Sequence, residues 1–223
     1  EYGNLERLVQ SANYQGEELF SQGERFALAA PLNFVASIMV LSYGLYRGCG
    51  SSYILSYSTV KNPVALIKFL LLKRITLFFL TPTYARKFAG KTGPFLKKMA
   101  IGSEPANNFY LKGVTNYNMY AQSESGVITS MFVIDKEYDV CPVGKPQFDM
   151  KYRVVDDDGN DVPDGEIGEF IFDSPYVRGY INLPEETARS FKDGYFYTSD
   201  LAQILPNGNI VICGRKSDMI KIN

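Results

Sequence analysis

Two short tracts hold most of the side chains equipped for chemistry: Gly194-Tyr195-Phe196-Tyr197-Thr198-Ser199-Asp200-Leu201 and, a hairpin later, Gly214-Arg215-Lys216-Ser217-Asp218-Met219-Ile220-Lys221. A carboxylate such as Asp200 accepts hydrogen bonds from a pair of hydroxyls, and an arginine such as Arg215 donates a forked pair to hydroxyl or phosphate oxygens. A third tract, Asn118-Met119-Tyr120-Ala121-Gln122-Ser123-Glu124, offers an aromatic face, a hydroxyl and a carboxylate of the kind a hard cation prefers. The chain has no histidine, which removes Ser-His-Asp and Cys-His relays and any imidazole base. Its three cysteines, Cys49, Cys141 and Cys213, are far apart and form no metal-ligand spacing. They read as small apolar residues. A formal net charge of -1 gives no general attraction to nucleic acid or to an anionic membrane. The run Asp156-Asp157-Asp158-Gly159-Asn160 reads as a solvated β-turn, not a metal site.

These tracts need elements to hold them. The first half alternates short apolar runs with helical patterns: strands are expected at Phe26 to Ala30, Ser52 to Leu55, Ile75 to Leu80, Leu96 to Ile101 and Thr115 to Tyr120. Helices are expected at Ala36 to Tyr46, Pro63 to Lys73 (with Asn62 as its N-cap), Tyr84 to Phe88, and briefly after the Gly102-Ser103-Glu104 turn. Alternation of this kind predicts an α/β fold, a mostly parallel sheet flanked by helices. From about Val133 the texture changes to short β-type runs joined by Asp-Gly and Asn-Gly steps, predicting a small antiparallel, barrel-like sheet. The expected division is residues 1–132, 133–213 and a hinge at 214–223. Ligands of open α/β sheets bind beyond the carboxyl ends of the strands, which singles out the loops at Gly102 to Glu104 and Ala121 to Gly126. No apolar run approaches the roughly 20 residues needed to span a bilayer, no secretory leader is evident, and a cytoplasmic protein is expected.

In order and content, the Asp200 and Arg215 tracts resemble the Y-x-T-G-D-L and G-R-x-D-x-x-x-K motifs of the adenylate-forming superfamily, which holds acyl-CoA synthetases, nonribosomal peptide synthetase adenylation domains and luciferase. Further stretches are similar to the family's remaining motifs: Gly165-Glu166-Ile167-Gly168-Glu169, Arg178-Gly179-Tyr180, Pro184-Glu185-Glu186-Thr187, Gly144-Lys145-Pro146 and the 118–124 loop. The resemblance covers nearly the whole chain. It implies a ligase that activates a small carboxylic acid with ATP as its acyl-AMP and passes the acyl group to CoA or to a carrier protein's phosphopantetheine. By resemblance Tyr120 stacks the adenine and Asn118 reads its edge, while Gly102, Ser103 and Glu104 form the other wall and Met119 and Ile212 lie against the nucleotide. Asp200 and Arg215 hold the ribose, Ser123 an α-phosphate oxygen and Glu124 the Mg²⁺. Ser217 and Asp218 start the hinge to a C-terminal lid. The implied acyl pocket is Val35, Ala36, Met39, Phe79, Met99, Ile101, Met119, Val127 and Ile128.

The sequence also departs from the family. The phosphate loop that relatives place before the segment equivalent to residues 1–10 and the C-terminal lid are not within these residues. The expectation is that a longer chain carries them and that this piece alone binds nucleotide weakly. Ser199 and Ala121 stand where relatives have glycine; an extended Ser199 would be harmless, and a left-handed one is expected to displace Asp200. Val35 occupies the position of the aspartate that pairs with an amino-acid ammonium, and a buried ammonium without a counter-charge is costly. An aliphatic or aromatic acid is therefore expected in preference to an ordinary α-amino acid. Plainer readings stand beside these: the 102–104 turn and Asn118 serve equally as turn residues, the apolar set as core, and Lys221 as a strand-end charge. A degenerate, non-catalytic nucleotide-binding or carrier-docking module is the rival to the enzyme.

Overall fold

The computed structural model describes residues 13–14, 17–30, 34–46, 48–88, 91–126, 128–147, 150–174 and 177–218. After a small hairpin of β1 (Asn13–Tyr14) and β2 (Glu17–Glu18), the chain lays down β3 (Arg25–Leu28), α1 (Val35–Tyr46), β4 (Ser51–Ile54), α2 (Tyr57–Lys61), α3 (Pro63–Leu72), β5 (Leu77–Leu80) and α4 (Pro82–Phe88). It continues through β6 (Lys98–Gly102), β7 (Thr115–Tyr120), β8 (Ser130–Ile134) and β9 (Lys145–Pro146). The strands from β3 to β9 form one sheet in the order β4-β3-β5-β6-β7-β8-β9, parallel from β4 to β7 and antiparallel beyond. A mostly parallel sheet flanked by helices is thus present as expected. It extends past Val133 to Pro146, because β8 returns alongside β7 and carries β9 with it.

Why these residues form these elements is visible in their patterning. All four residues of β5 are buried, which is the continuous apolar run of a strand covered on both faces. Asn62 caps α3 by accepting the backbone N–H groups of Val64 and Ala65 at 3.1 Å, with Pro63 at the first helical position. Such a cap contributes about 1 kcal/mol. The short helix expected after Glu104 is absent from residues 103–114, where the loop's polar groups find side-chain partners instead. Asn116 brackets the loop through the N–H and C=O of Leu111, and Arg86 donates to the carbonyls of Pro105 and Asn107.

The second sheet is antiparallel and starts with β10 (Tyr152–Val155) and β11 (Gly168–Asp173). After α5 (Pro184–Ser190) come β12 (Phe191–Lys192), β13 (Tyr195–Ile204) and β14 (Ile210–Arg215), and residues 216–218 close with a 3₁₀ turn. Strand alternation divides the core in two. Met99, Ile101, Phe78 and Ala27 face Leu66 and Leu70 on the helical side. Phe26, Phe79, Ala100 and Tyr117 face the other way and share one cluster with Phe170, Phe172 and Phe196 of the antiparallel sheet. That shared cluster joins the two sheets and leaves a cleft at their rim.

Candidate nucleotide and acyl site

A cavity of about 510 Å³ opens between the sheets, within the size range of small-molecule sites. It lies at the carboxyl ends of the parallel strands, where Phe79, Gly102, Ser103 and Met119 reach it, and the loop Ala121 to Glu124 forms one wall. From the antiparallel side come Thr198, Ser199 and Arg215. Gly102 is required there: a Cβ would sit 2.7 Å from the carbonyl oxygen of Met119 on the paired strand.

Asp200, which is not itself among the lining residues, follows the lining pair Thr198-Ser199 on a bulge of β13. Along β11 the partners run Glu169↔Leu201 and then Ile171↔Tyr197, so the three residues 198–200 of β13 stand against Phe170 alone, two more than a regular ladder holds. A second irregularity sets Leu201 opposite Gly214 and Ala202 opposite Ile212, and Asp200 ends up across from Arg215. The bulge is stapled to β11 at two points. The Thr198 hydroxyl donates to the Phe170 carbonyl at 2.6 Å, and the Ser199 N–H donates to Glu169 Oε1 at 3.0 Å. Ser199 is left-handed, at φ 60°. Both staples precede Asp200, whose own N–H donates to the Thr198 hydroxyl at 2.9 Å, and its side chain stands across from Arg215.

The Asp200 side chain is only 6% exposed and is surrounded by donors. Its Oδ2 accepts the Tyr120 hydroxyl and the Gln122 amide, each at 2.6 Å, and its Oδ1 accepts Arg215 at 3.0 Å. Burial first, and then the adjacent Asp200 carboxylate, push the Tyr120 phenol well above its ordinary range. It therefore stays a proton donor.

Glu124 lies at the same mouth, held by the Tyr180 hydroxyl on Oε1 at 2.7 Å and through its own carbonyl by the Ser174 hydroxyl at 2.5 Å. Burial, reinforced by that bond, moves Tyr180 up to about 12. The Arg178-Gly179-Tyr180 and Pro184 to Thr187 stretches meet to place this tyrosine: Thr187 Oγ1 accepts the Tyr180 N–H at 2.8 Å, and Gly179 lies against the same side chain. A Cβ at Gly179 would stand 2.2 Å from Thr187 Cγ2, at a backbone φ of 126°.

Of the expected site residues, Gly102, Ser103, Met119, Ser123, Glu124 and Arg215 line the cavity, as do Val35, Ala36, Phe79 and Ile128 of the acyl set. The structure places several others away from the cavity lining. Asn118 is 3% exposed and its amide is committed to the Pro142 carbonyl at 2.8 Å, on the opposite face of β7 from the cavity. Met99 and Ile101 likewise point into the helical core, and their neighbours Ala100 and Gly102 take the cavity positions. Glu104 accepts the Thr83 N–H at 3.0 Å, so it serves the start of α4. Ile212 packs into the joint core. The Tyr120 ring is outside the cavity lining and meets Phe170 edge-on at 5.9 Å. Val127, Lys221 and the side chain of Met39 lie outside the described residues. Ser217 and Asp218 are exposed in the closing turn. The Asp156 run is the expected turn, with Asp156 Oδ1 accepting the N–H groups of Asp158 and Asn160. Burial raises the Cys141 thiol to about 11, in keeping with an inert core cysteine.

Sequence reading missed Gln122, Tyr180 and Glu169. All three lie inside the recognised motif stretches, so the signal was their position, but their partners come from other strands and loops.

With this geometry in view, the sequence matches the AMP-binding enzyme family over residues 1–181. The chain belongs to that family, within the adenylate-forming superfamily. It is 33% identical over 160 residues to nonribosomal peptide synthetase 7 of Aspergillus fumigatus, covering 67% of this chain and 7% of that protein. It is 29% identical over 209 residues to bacitracin synthase 1 of Bacillus licheniformis, covering 90% and 4%. In structure it is similar to the O-succinylbenzoate coenzyme A synthetase of Bacillus subtilis in complex with AMP, with a TM-score of 0.82 at 20% identity over 98% of this chain and 46% of that one. The same enzyme with ATP and magnesium ion gives 0.81 at 20% identity, covering 99% and 47%. The chain thus spans less than a tenth of those two synthetases and about half of the solved structure.

Among the described residues no helix is long and apolar enough to cross a membrane, and no three histidine, cysteine or acidic side chains gather as a metal cluster. Glu124, one carboxylate with Oε2 outside its bond to Tyr180 and with Ser123 adjacent, fits the usual magnesium arrangement of one or two carboxylates together with substrate phosphates.

Proposed function

We propose that this chain supplies the nucleotide and acyl cleft of an ATP-dependent acid-thiol ligase. The observation that supports the reading is the hydrogen-bonded group of Tyr120, Gln122, Asp200 and Arg215, drawn from both sheets, of which Gln122 and Arg215 line the cavity together with Glu124. The Asp200 carboxylate takes the ribose hydroxyls, Arg215 assists at ribose or phosphate oxygens, and Ser123 holds an α-phosphate oxygen. Glu124 would hold Mg²⁺, which neutralises phosphate charge when bound. A substrate carboxylate oxygen attacks the α-phosphorus, the bond to the bridging oxygen of pyrophosphate breaks, and acyl-AMP forms. A thiol, on CoA or on a carrier-protein pantetheine, then attacks the acyl carbon and AMP leaves. A C-terminal lid after the Ser217-Asp218 hinge belongs to this reading.

The acid is apolar and carries no ammonium. Phe26, Phe79, Ala100 and Ile128 are among the lining residues, and Val35, which also lines the cavity, stands where a counter-charge for an amino group would be. The test uses the full-length protein. ATP-Mg²⁺ and a stable acyl-AMP analogue are titrated into the parent and into Asp200→Ala. Tight analogue binding that disappears in the variant supports the ligase; a parent indifferent to the analogue refutes it. Preference for leucine over fatty or aryl acids in pyrophosphate exchange refutes the substrate class alone.

A further inference from the structure

We infer that Glu169 is a positioning residue that fixes the ribose-binding Asp200 and ties it to the segment leading out of β14. This inference rests on the proposed role of Asp200. Glu169 touches no part of the cavity, and its side chain is 9% exposed, so its two oxygens act within the protein. Oε1 accepts the N–H of Ser199 at 3.0 Å, and Oε2 meets Lys216 Nζ at 2.9 Å. Lys216 reaches on to Asp157 in the Asp156 turn at 2.8 Å. One buried carboxylate therefore grips the residue immediately before Asp200 and the first residue after β14.

The grip on Ser199 has a physical purpose. A left-handed conformation is unfavourable for a residue with a Cβ and persists only where the surroundings hold it. Serine stands here without glycine's freedom, and its N–H has left the strand ladder because the bulge carries it out of register. Glu169 supplies the acceptor that the ladder does not. Without it a partly buried donor loses its acceptor and the bulge can relax toward an extended backbone, which turns Asp200 away from Arg215. Lys216 holds the carboxylate from its other side. Movement of residues 216–218 is thereby felt at Ser199, and nucleotide at Asp200 is felt at residues 216–218.

The experiment compares Glu169→Ala, Glu169→Gln and the parent in the full-length protein, by AMP titration and by hydrogen exchange at the Ser199 amide. Glutamine retains an oxygen acceptor for the Ser199 N–H while losing the charge that attracts Lys216. Expected are an AMP Kd raised about tenfold or more in Glu169→Ala, in line with loss of one charge-assisted bond, and a Kd within about threefold of the parent in Glu169→Gln. The Ser199 amide should exchange faster in the alanine variant only. Equal AMP affinity and equal Ser199 protection in parent and Glu169→Ala would overturn the inference. So would a glutamine variant as impaired as the alanine one, since a general loss of charge or packing would then suffice. Glu169→Met, which fills the space without an acceptor, carries the same readings if the alanine variant does not fold. Should the parent bind no AMP, the proposed function fails, while Ser199 exchange still decides the positioning role.

Discussion

Removing the Tyr120 hydroxyl should tighten nucleotide binding. A carboxylate oxygen has two lone-pair directions, and Asp200 Oδ2 already accepts both Tyr120 and Gln122 at 2.6 Å. Oδ1 accepts Arg215 and has one direction left. A ribose hydroxyl directed at Oδ1 can add to what is there, but one directed at Oδ2 must displace Tyr120 or Gln122. A hydrogen bond to a charged group contributes about 1.5–3 kcal/mol, and Asp200 is too buried for water to screen it. In Tyr120→Phe the ligand-free protein lacks this bond from the outset, so binding no longer has to break it. Taking the lower figure, because Gln122 remains on Oδ2, the AMP Kd should fall about tenfold, at 1.4 kcal/mol per decade. The melting temperature without ligand should drop by several degrees, at about 2–4 °C per kcal/mol for a domain of this size. Calorimetric titration of AMP and a thermal scan of the same sample measure both. A lower melting temperature with an unchanged Kd means that the hydroxyl keeps its bond in the complex, and a weaker Kd means that it serves the nucleotide. Either result refutes the displacement argument.

Enlarging Ala100 to leucine should shorten the acyl group accepted. A series of straight-chain acids in pyrophosphate exchange should show kcat/KM falling about 10–200-fold for the longest good substrate while acetate is spared, and an unshifted profile would place the acyl group elsewhere. Tyr180 makes a pH prediction. Its proton is held in the folded state up to about 12 while the unfolded phenol releases its own near 10, so the unfolded state binds fewer protons between those values. Stability should be level below about pH 10 and decline from there toward pH 12, and Tyr180→Phe should flatten part of that decline in urea melts at stepped pH. An unaltered slope in the variant would show that the tyrosine is not responsible.

Much of this was legible in the sequence, for reasons that differ by element. Helix α3 announced itself because its start is chemical: Asn62 caps and Pro63 pre-sets the backbone, both local effects. The buried strand β5 was legible from composition alone. Asp200 and Arg215 were legible as a pair because two motif tracts a hairpin apart must lie on adjacent strands. Asn118, Met99 and Ile101 lie on the face of their strands away from the cavity lining. Strand side chains alternate faces, and which face a given residue takes depends on a register that a motif by itself does not state. The loop after Glu104 could not be read because its polar groups are satisfied by Asn116 and Arg86, contacts that no propensity encodes. Glu169 was hidden in the same way. Its partners Ser199 and Lys216 are distant in sequence, and only the bulge creates the unmet N–H that makes a carboxylate useful there.

The bulge at residues 198–200 also sets what kinds of change the site can absorb. Replacing glycine by serine at 199 exchanges a side chain and leaves the count of residues between Tyr197 and Leu201 intact, so the strand resumes its pairing with Glu169 where it should. Losing or gaining one residue in that interval would shift either Asp200 or everything after it to the opposite face of the sheet, breaking the pairing of Asp200 with Arg215. The segment is therefore tolerant to spelling and intolerant to length, and drift at this site would be expected to proceed by substitution while insertions accumulate in loops such as the Asp156 turn.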